Sequence, residues 1–263
     1  MGNTESFRSV ADRFGISKSS LRRNVTHVIE AFLLVAEDFI NWPATEFQRQ
    51  AISSCYQRIP GVIGCVDGTY IPMAGKSGVK RDAYICRKGF PAMHAQLTCT
   101  HKLLITDITT GFPGSAHDAR VFRNSSLYTH LQSLPPQYHV LGDSAYPLET
   151  FMLTPFKDNG HLSPTEKKFN YVQSSTRCCV ERCTGLLKAK FGKLKFFDAR
   201  DDTFMCTAIV ACAVVHNFLI RKETVDESDI IIDWQDAVNE GAESRVTSDA
   251  LNKRLDIAAS LCV

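Results

Sequence analysis

Three acidic residues in the sequence have a type and a setting that suit metal-assisted phosphate chemistry: Asp67, Asp143 and Glu181. Asp67 and Asp143 each directly follow a short apolar run of strand type, and each has a glycine as a neighbour. A carboxylate at the end of a strand projects from the rim of a sheet, and an adjacent glycine lets a metal ion or a substrate approach the backbone closely. Two such aspartates on neighbouring strands could share divalent metal ions, which activate a water or hydroxyl and stabilise the leaving oxygen in phosphoryl transfer.

Glu181 supplies a third carboxylate on a different kind of element. It lies at the edge of the apolar face of a helix predicted from about residue 174 to residue 191, among basic residues. Mg²⁺ prefers carboxylate, water and phosphate oxygens as ligands. An isolated Asp-Gly pair is more often part of a turn. Here, however, two acids follow strands and a third lies on a basic helix. This combination makes a metal site and ordinary turns about equally good interpretations.

Basic residues accompany the acids and could neutralise DNA phosphates, which would make binding strongly salt-dependent. One group follows Glu181 closely and a second opens a helix near the N-terminus. The candidates for DNA contact are Lys188, Lys190, Lys193, Lys195, Lys18, Arg22 and Arg23. An ordinary solvated helix face is the alternative for both groups.

Asp118 is a fourth acid with two interpretations. It could support the site or contact DNA, or its side chain could cap a helix that starts near Ala119. The cap is the favoured interpretation. The neighbouring His117 could act as a general acid or base, although a lone histidine in a loop is more often incidental.

Short strands and several helices must position these acids. Strands are predicted at residues 62–66, 94–100, 103–109 and 140–142, and helices at residues 117–132, 174–191 and 203–221. Residues 150–172, which contain two prolines, are predicted to be irregular. Asp202 is the predicted cap of the last helix.

The N-terminal residues 1–41 are predicted to be helical. An amphipathic run at residues 7–14 ends at Gly15, and Ser17 is a suitable N-cap for a second helix from Lys18. Helix, glycine turn and basic helix is the layout of a helix-turn-helix DNA reader. An ordinary helical hairpin is the alternative, and the pattern alone favours it.

Charge is unevenly distributed along the 263 residues, although the net charge is only +2. Residues 1–222 contain 27 basic and 18 acidic residues, whereas residues 223–263 contain three basic and ten acidic ones. A basic body with an acidic tail suggests a negatively charged partner, with nucleic acid first among the candidates, or else an ordinary surface.

Composition excludes several other classes of protein. The ten cysteines include no Cys-x-x-Cys pair and follow no secretory signal, which predicts small core thiols in a reducing compartment. No stretch is recognised as reaching about 18 uncharged apolar residues, so the sequence predicts no membrane span.

A series of motifs occurs in order along the chain: PGVIGCVDGTYI at 60–71, RKG at 87–89, GSAHD at 114–118, GDSAYPL at 142–148, VER at 180–182 and ACAVVHN at 211–217. Together they resemble the catalytic region of PIF/Harbinger-type DDE transposases, which include mobile-element transposases and host Harbinger transposase-derived nucleases. The resemblance implies an α/β, ribonuclease H-like fold with a mixed sheet flanked by helices. It also implies a catalytic, metal-binding triad of Asp67, Asp143 and Glu181 with Mg²⁺ or Mn²⁺.

The expected organisation is a helix-turn-helix-like segment at 1–41, whose first helix is incomplete, a linker at 42–59, a DDE nuclease domain at 60–222 and an acidic tail at 223–263. The expected function is a divalent-metal-dependent DNA endonuclease. The alternative is a domesticated, catalytically silent DNA-binding or adapter protein. The resemblance further implies a separate Myb/SANT-like DNA-binding partner and a nuclear location, with the cytoplasm as a second location. The oligomeric state is left open.

Overall fold

The computed structural model describes residues 1–2, 4–75, 81–198, 201–222 and 246–261. Most of the predicted acidic tail, residues 223–245, lies outside the described residues. The fold is built on one sheet of five strands in the order β3-β2-β1-β4-β5. The strands are β1 (Val62–Pro72), β2 (Ala92–Cys99), β3 (Ile105–Pro113), β4 (His139–Leu141) and β5 (Met152–Leu153).

The sheet is mixed. β1, β2 and β3 pair as an antiparallel meander, and β4 pairs in parallel with both β1 and β5. Antiparallel neighbours can be joined by short turns, whereas the parallel pairs need crossovers. The crossover from β3 to β4 contains two helices. This architecture confirms the predicted α/β fold with a mixed, ribonuclease H-like sheet flanked by helices.

Nine α-helices are present in the described part of the chain. They are α1 (Phe7–Arg13), α2 (Lys18–Leu34), α3 (Ala36–Phe39), α4 (Glu46–Ser53), α5 (Asp118–Arg123), α6 (Ser126–Gln132), α7 (Pro164–Lys190), α8 (Asp202–Arg221) and α9 (Ser248–Ser260). α7 and α8 cover one face of the sheet, whereas α4, α5 and α6 contact β1, β2 and β3.

Alternating side chains of β1 separate two hydrophobic clusters. Cys65 packs in the cluster that includes Val180 of α7, whereas the next residue, Val66, packs in the cluster that includes Phe122 of α5. Because successive side chains of a strand point to opposite faces, Asp67 lies on the same face as Cys65. Asp67 therefore faces α7.

Helix α7 begins ten residues earlier than the sequence pattern predicted, at Pro164. The hydroxyl of Ser163 accepts a hydrogen bond from the Glu166 amide, and the Glu166 carboxylate accepts one from the Ser163 amide. This reciprocal pair is a capping box, and proline is well suited to the first helical position because the amide there needs no helical partner. The region predicted as irregular therefore contains both β5 and the start of α7.

Helix α8 is capped by Asp201 and not by Asp202, which instead accepts a hydrogen bond from the Tyr84 hydroxyl at 2.7 Å. Contrary to the expectation from sequence, α8 is long and apolar enough to span a membrane by length and composition, and no other helix in the described ranges is. More than half of the apolar stretch of α8 is buried within the protein, where the helix packs against β3, α2 and α3. Its apolarity is that of a core helix.

The predicted N-terminal helices are present and are docked on the rest of the fold. Ser6 caps α1 and Ser17 caps α2, as the hydroxyl of each accepts an amide hydrogen bond from the first turn. α2 packs along α8, and Phe7 of α1 lies 5.9 Å, ring to ring, from Phe204. The division into segments and the helix-turn-helix role stay predictions.

Two segments differ from the expected linker and tail. Residues 42–59, predicted as a linker, contain helix α4, which packs on β1. Thr45 and Gln48 form a capping box at the start of this helix. Within the tail, α9 packs against α7. The ammonium group of Lys253 donates to the carbonyls of Pro136, Tyr138 and Thr150, at 2.7, 3.0 and 2.6 Å. Two short elements thus extend the packed fold beyond residues 60–222.

Candidate active site

The two aspartates lie side by side, although Asp67 does not end a strand as the sequence suggested. β1 continues to Pro72 because its second half still pairs with β2, and Asp67 stands opposite Leu97. On the other side of β1, Cys65 is in parallel register with Leu141, the last residue of β4. Asp67 and Asp143 are each two residues beyond this matched pair, so both lie at the edge where the parallel pairing stops.

Helix α7 carries Glu181 to the same edge. It crosses the sheet over β1 and β2, with Val180 and Cys183 buried against them. Glu181 Oε1 lies 2.6 Å from Nη2 of Arg177, one turn earlier on the helix, and Nη1 of Arg177 lies 3.7 Å from Asp67 Oδ1. The structure therefore brings all three predicted acids together. Their catalytic and metal-binding roles stay predictions.

Helix α7 also fixes the loop that carries Asp143. The buried side-chain amide of Gln173 donates to the carbonyl of Gly142 at 2.7 Å. Asp143 itself is 9% exposed and accepts a hydrogen bond from the Ala145 amide at 2.9 Å. A side chain at position 142 would collide with Met152 and with the Tyr146 ring. The glycine beside Asp143 is therefore required by packing.

Burial and the neighbouring acids change the proton affinity of Asp67. The pKa of Asp67 is raised to about 7, chiefly because burial disfavours the charged carboxylate. The guanidinium of Arg177 opposes this rise in pKa, and the charges of Asp143, Asp118 and Glu181 add to it. A strongly perturbed carboxyl within a cluster of like charges is a feature of functional sites.

Asp118 belongs to this cluster, and its predicted role as a helix cap is wrong. α5 begins at Asp118, its N-cap residue is His117, and no side chain caps it. Asp118 Oδ1 instead lies 3.0 Å from Nε2 of His94, whose Nδ1 is 3.0 Å from the carbonyl of Ala116. Because a carbonyl only accepts, Nδ1 is the donor in its contact with Ala116.

Gly68 explains how Asp118 approaches β1 so closely. A Cβ atom at this position would overlap both the Asp118 carboxylate and the His94 ring. The Asp-Gly pair that could have been a turn is therefore a close-approach point within a strand. Asp118 lies against β1 at Gly68, and its charge adds to the raised pKa of Asp67. This placement fits the less favoured prediction that Asp118 supports the site.

The predicted DNA-contacting residues divide into two groups. Lys18, Arg23 and Lys195 are exposed, and Lys190 is half-buried. Arg22 instead pairs with Asp201 at 2.8 Å and stacks on the Phe204 ring. This placement engages Arg22 in the contact between α2 and α8, and its role in DNA contact stays a prediction.

Lys193 and Lys188 are also engaged within the chain. Lys193 is only 3% exposed and pairs with Asp198 at 2.9 Å, so we assign it to packing at the end of α7 and not to DNA. The Lys188 ammonium donates to Thr69 Oγ1 at 2.7 Å and to the Tyr70 carbonyl at 2.9 Å. Lys188 thus ties α7 to β1 just beyond Asp67, which places a positive charge near the acids.

The prediction that the cysteines are core thiols holds for five of the nine in the described ranges, whereas Cys55 is exposed and Cys178, Cys179 and Cys206 are half-buried. Cys65, Cys86, Cys99, Cys183 and Cys212 are buried, and all nine cysteines within the described ranges are free thiols. Burial and neighbouring thiols raise the pKa of Cys99 well above its usual value.

The chemistry of the three acids fits a divalent cation, but their present arrangement is not a finished metal site. In the ranges that the structure describes, no three His, Cys, Asp or Glu side chains are already grouped to hold a metal ion. Carboxylate oxygens are the ligands that Mg²⁺ takes, and a cationic guanidinium already contacts two of the three acids. The cluster therefore suits a cation, and Asp67, Asp143 and Glu181 are the residues that would hold it.

Sequence reasoning did not single out Arg177, His94 or Gln173. Arg177 did have a local signal, because its position four residues before Glu181 is the spacing of a helical ion pair. His94 and Gln173 had no detectable signal, because their partners are distant in the chain.

Comparison with known proteins decides the family. Residues 66–217 match the family model for DDE superfamily endonucleases, which covers more than half of the chain. The chain belongs to this family. The match contains all three acids, and it confirms the relationship that the ordered motifs suggested.

Relatives in animals and plants are consistent with this assignment. The chain is 29% identical to the rat protein "Putative nuclease HARBI1" and 28% identical to its human counterpart, over 81% of this chain and 62% of each relative. It is 22% identical to the Arabidopsis "Protein ALP1-like", over the whole chain and 69% of that protein. The chain thus spans less than two thirds of the nuclease-named relatives. No solved structure matches it significantly.

Proposed function

We propose that this protein is a divalent-metal-dependent DNA endonuclease of transposase ancestry. The observation that carries the proposal is the parallel register of β1 and β4, which sets Asp67 and Asp143 side by side below Glu181 of α7. Membership of the DDE superfamily endonuclease family and the nuclease-named relatives support it. The arrangement requires contributions from two strands and one helix, as expected when a fold assembles a site.

Each acid has a distinct structural support in the proposed mechanism. Asp67 is held by a continuous β1, Asp143 by the Gln173 bond to its loop, and Glu181 by α7. When bound, Mg²⁺ or Mn²⁺ would activate the attacking water and stabilise the leaving oxygen of a phosphodiester. The raised pKa of Asp67 means that this carboxyl must lose its proton before it can hold a cation. The Lys188 ammonium adds positive charge beside Thr69 and Tyr70 of β1, close to Asp67, where it would attract a DNA phosphate.

A plasmid-nicking assay tests the proposal. The purified chain should nick supercoiled DNA when Mg²⁺ or Mn²⁺ is added and should stop when the metal is chelated. Asp67→Asn, Asp143→Asn and Glu181→Gln should each abolish nicking, because each removes one anionic ligand. Asp12→Asn, which changes an exposed carboxyl on α1, is the matched control and should nick normally.

Nicking that survives unchanged in Asp67→Asn would exclude this site as the catalytic centre. Tight DNA binding with no metal-stimulated nicking would instead support the alternative of a catalytically silent DNA-binding protein.

DNA contact, partner and location are part of the same proposal. We infer that the exposed Lys18, Arg23 and Lys195, with Lys190, contact DNA phosphates, and that a Myb/SANT-like protein assists recognition and entry into the nucleus. Replacing one phosphate-contacting lysine should lower the slope of log affinity against log salt by about one. Co-expression with the partner should move a tagged chain from cytoplasm to nucleus, and an unchanged distribution would remove the partner from the proposal.

A further inference from the structure

Arg177 occupies a position that the proposed chemistry does not by itself explain. Its side chain is only 12% exposed and lies on α7, one turn before Glu181. Nη2 is 2.6 Å from Glu181 Oε1, and Nη1 is 3.7 Å from Asp67 Oδ1. Nη1 is buried and makes no hydrogen bond within the described residues. The guanidinium is therefore directed into the acid cluster without a complete set of partners there.

The charges around Arg177 are unequal. Burial has the largest single effect on the pKa of Arg177 and lowers it. The charges of Asp67, Glu181 and Asp143, in decreasing order, raise this pKa, and the net result is a raised pKa. A single guanidinium thus faces three carboxylates, and Asp118 adds a fourth acid near Asp67. The neighbouring basic side chains have partners of their own, since His94 contacts Asp118 and Lys188 donates to Thr69 and Tyr70.

Like-charge repulsion is strong at such distances inside a protein. A divalent ion held by Asp67 and Glu181 would lie within a few ångströms of the guanidinium, in surroundings of low effective dielectric constant. The ion and the guanidinium also need oxygens of the same two carboxylates. The guanidinium and the divalent ion therefore compete for the carboxylate oxygens of Asp67 and Glu181.

We propose that Arg177 is a positioning residue that stands in for the divalent ion, holding Asp67 and Glu181 together in the metal-free protein and competing with metal for them. The inference rests on the proposed function, because it takes the three acids as the metal ligands. It predicts two linked properties: the metal-free fold needs Arg177, and metal binding is weaker because Arg177 must first give way.

Metal titration without DNA tests this. Mn²⁺ binding is measured by calorimetry and by the loss of the free-ion electron paramagnetic resonance signal, for the wild type, Arg177→Gln and Arg177→Lys. Arg177→Gln should bind Mn²⁺ at least about tenfold more tightly, because the competing charge is gone. It should also melt at a lower temperature without metal and show a larger rise in Tm when Mn²⁺ is added. Arg177→Lys keeps the charge and should bind Mn²⁺ as the wild type does.

Arg8→Gln is the matched control, because it removes an exposed arginine of α1 to which no role in the site is assigned. Its Mn²⁺ affinity should equal that of the wild type. Equal or weaker Mn²⁺ binding by Arg177→Gln would overturn the proposal.

A measurement on the wild type keeps the proposal testable if Arg177→Gln does not fold. The Nε–H resonance of Arg177 should shift during a Mg²⁺ titration as its contacts with the two acids break. A resonance that stays in place while Mg²⁺ saturates the protein would overturn the proposal.

Asp67→Asn separates this inference from the proposed function. If Asp67→Asn does not weaken Mn²⁺ binding, the acids are not the metal site and the proposed function fails. If Asp67→Asn weakens binding but Arg177→Gln does not strengthen it, only the role of Arg177 fails.

Discussion

Replacing Asp67 by asparagine should stabilise the metal-free protein, and the gain should depend on pH. The pKa of Asp67 rises from 3.8 to about 7 in the folded chain, and each pKa unit corresponds to about 1.4 kcal/mol. Ionised Asp67 therefore reduces the free energy of unfolding by about 4 kcal/mol, an order-of-magnitude figure for a side chain that is three-quarters buried. Asparagine has nearly the same shape and no charge to desolvate.

The sign of the pH effect follows from proton binding. Below pH 3.8 the carboxyl is protonated in both states, so Asp67 imposes no penalty. Between pH 3.8 and about 7 the unfolded chain loses this proton while the folded chain keeps it, so folding stability falls as pH rises. Above about pH 7 the penalty is complete. The advantage of Asp67→Asn over the wild type should therefore grow by about 1.4 kcal/mol per pH unit and then level off.

Urea unfolding in the presence of a chelator measures this advantage at intervals from pH 5 to pH 8.5. Taking the difference between variant and wild type removes the pH dependence of other groups, such as the buried His139, whose pKa is lowered by burial. Asp12→Asn should show no pH-dependent gain. The reasoning is refuted if Asp67→Asn gives the same change in stability at pH 5 and pH 8, or destabilises the protein at pH 8.

Three further substitutions test the framework around the site. Asn217→Ala should cost about 3 kcal/mol in urea unfolding, because the buried amide bonds both backbone groups of Ile105 and the carbonyl of Phe39; a loss below about 1 kcal/mol would contradict this role. Gly68→Ala should abolish nicking while Gly75→Ala, whose added Cβ meets only ordinary contact, should not; normal nicking by the Gly68 variant would contradict the close approach. Lys253→Met should speed hydrogen exchange across α9, because three carbonyls lose their donor; unchanged exchange would show that α9 is held by its other contacts.

Much of the candidate site could be predicted because its signals are local. Asp143 follows an apolar strand, Glu181 lies on a helix, and Ser17 caps α2, all within a few residues of the pattern that indicates them. The start of α7 also had a local signal in Ser163, Pro164 and Glu166. The prediction of irregular chain over residues 150–172 rested on the two prolines there. At the first position of a helix, however, proline favours the helix.

The missed features depend on partners far away in the chain. The end of β1 could not be found from its apolar run, because pairing with β2 and not hydrophobicity carries the strand past Asp67. The sequence suggested that Lys193 contacts phosphate, but in the fold its side chain is buried at the end of α7 and pairs with Asp198. The sequence favoured a helix cap for Asp118 because its partner, His94, lies on β2, far from α5 in the chain.

The sequence by itself determined the acids, the order of the motifs and the alternation of strands and helices, since these follow from residue types and from short-range periodicity. The resemblance carried by the ordered motifs indicated the family, which the match over residues 66–217 confirms. Only the tertiary structure decided which side chains meet. The register of β1 against β4 sets the two aspartates level, the packing of α7 adds Glu181, and the same helix inserts Arg177 between Asp67 and Glu181. The physical reason is that the energy of a buried charge depends on every neighbour within a few ångströms, and those neighbours are chosen by the fold and not by the chain's local order.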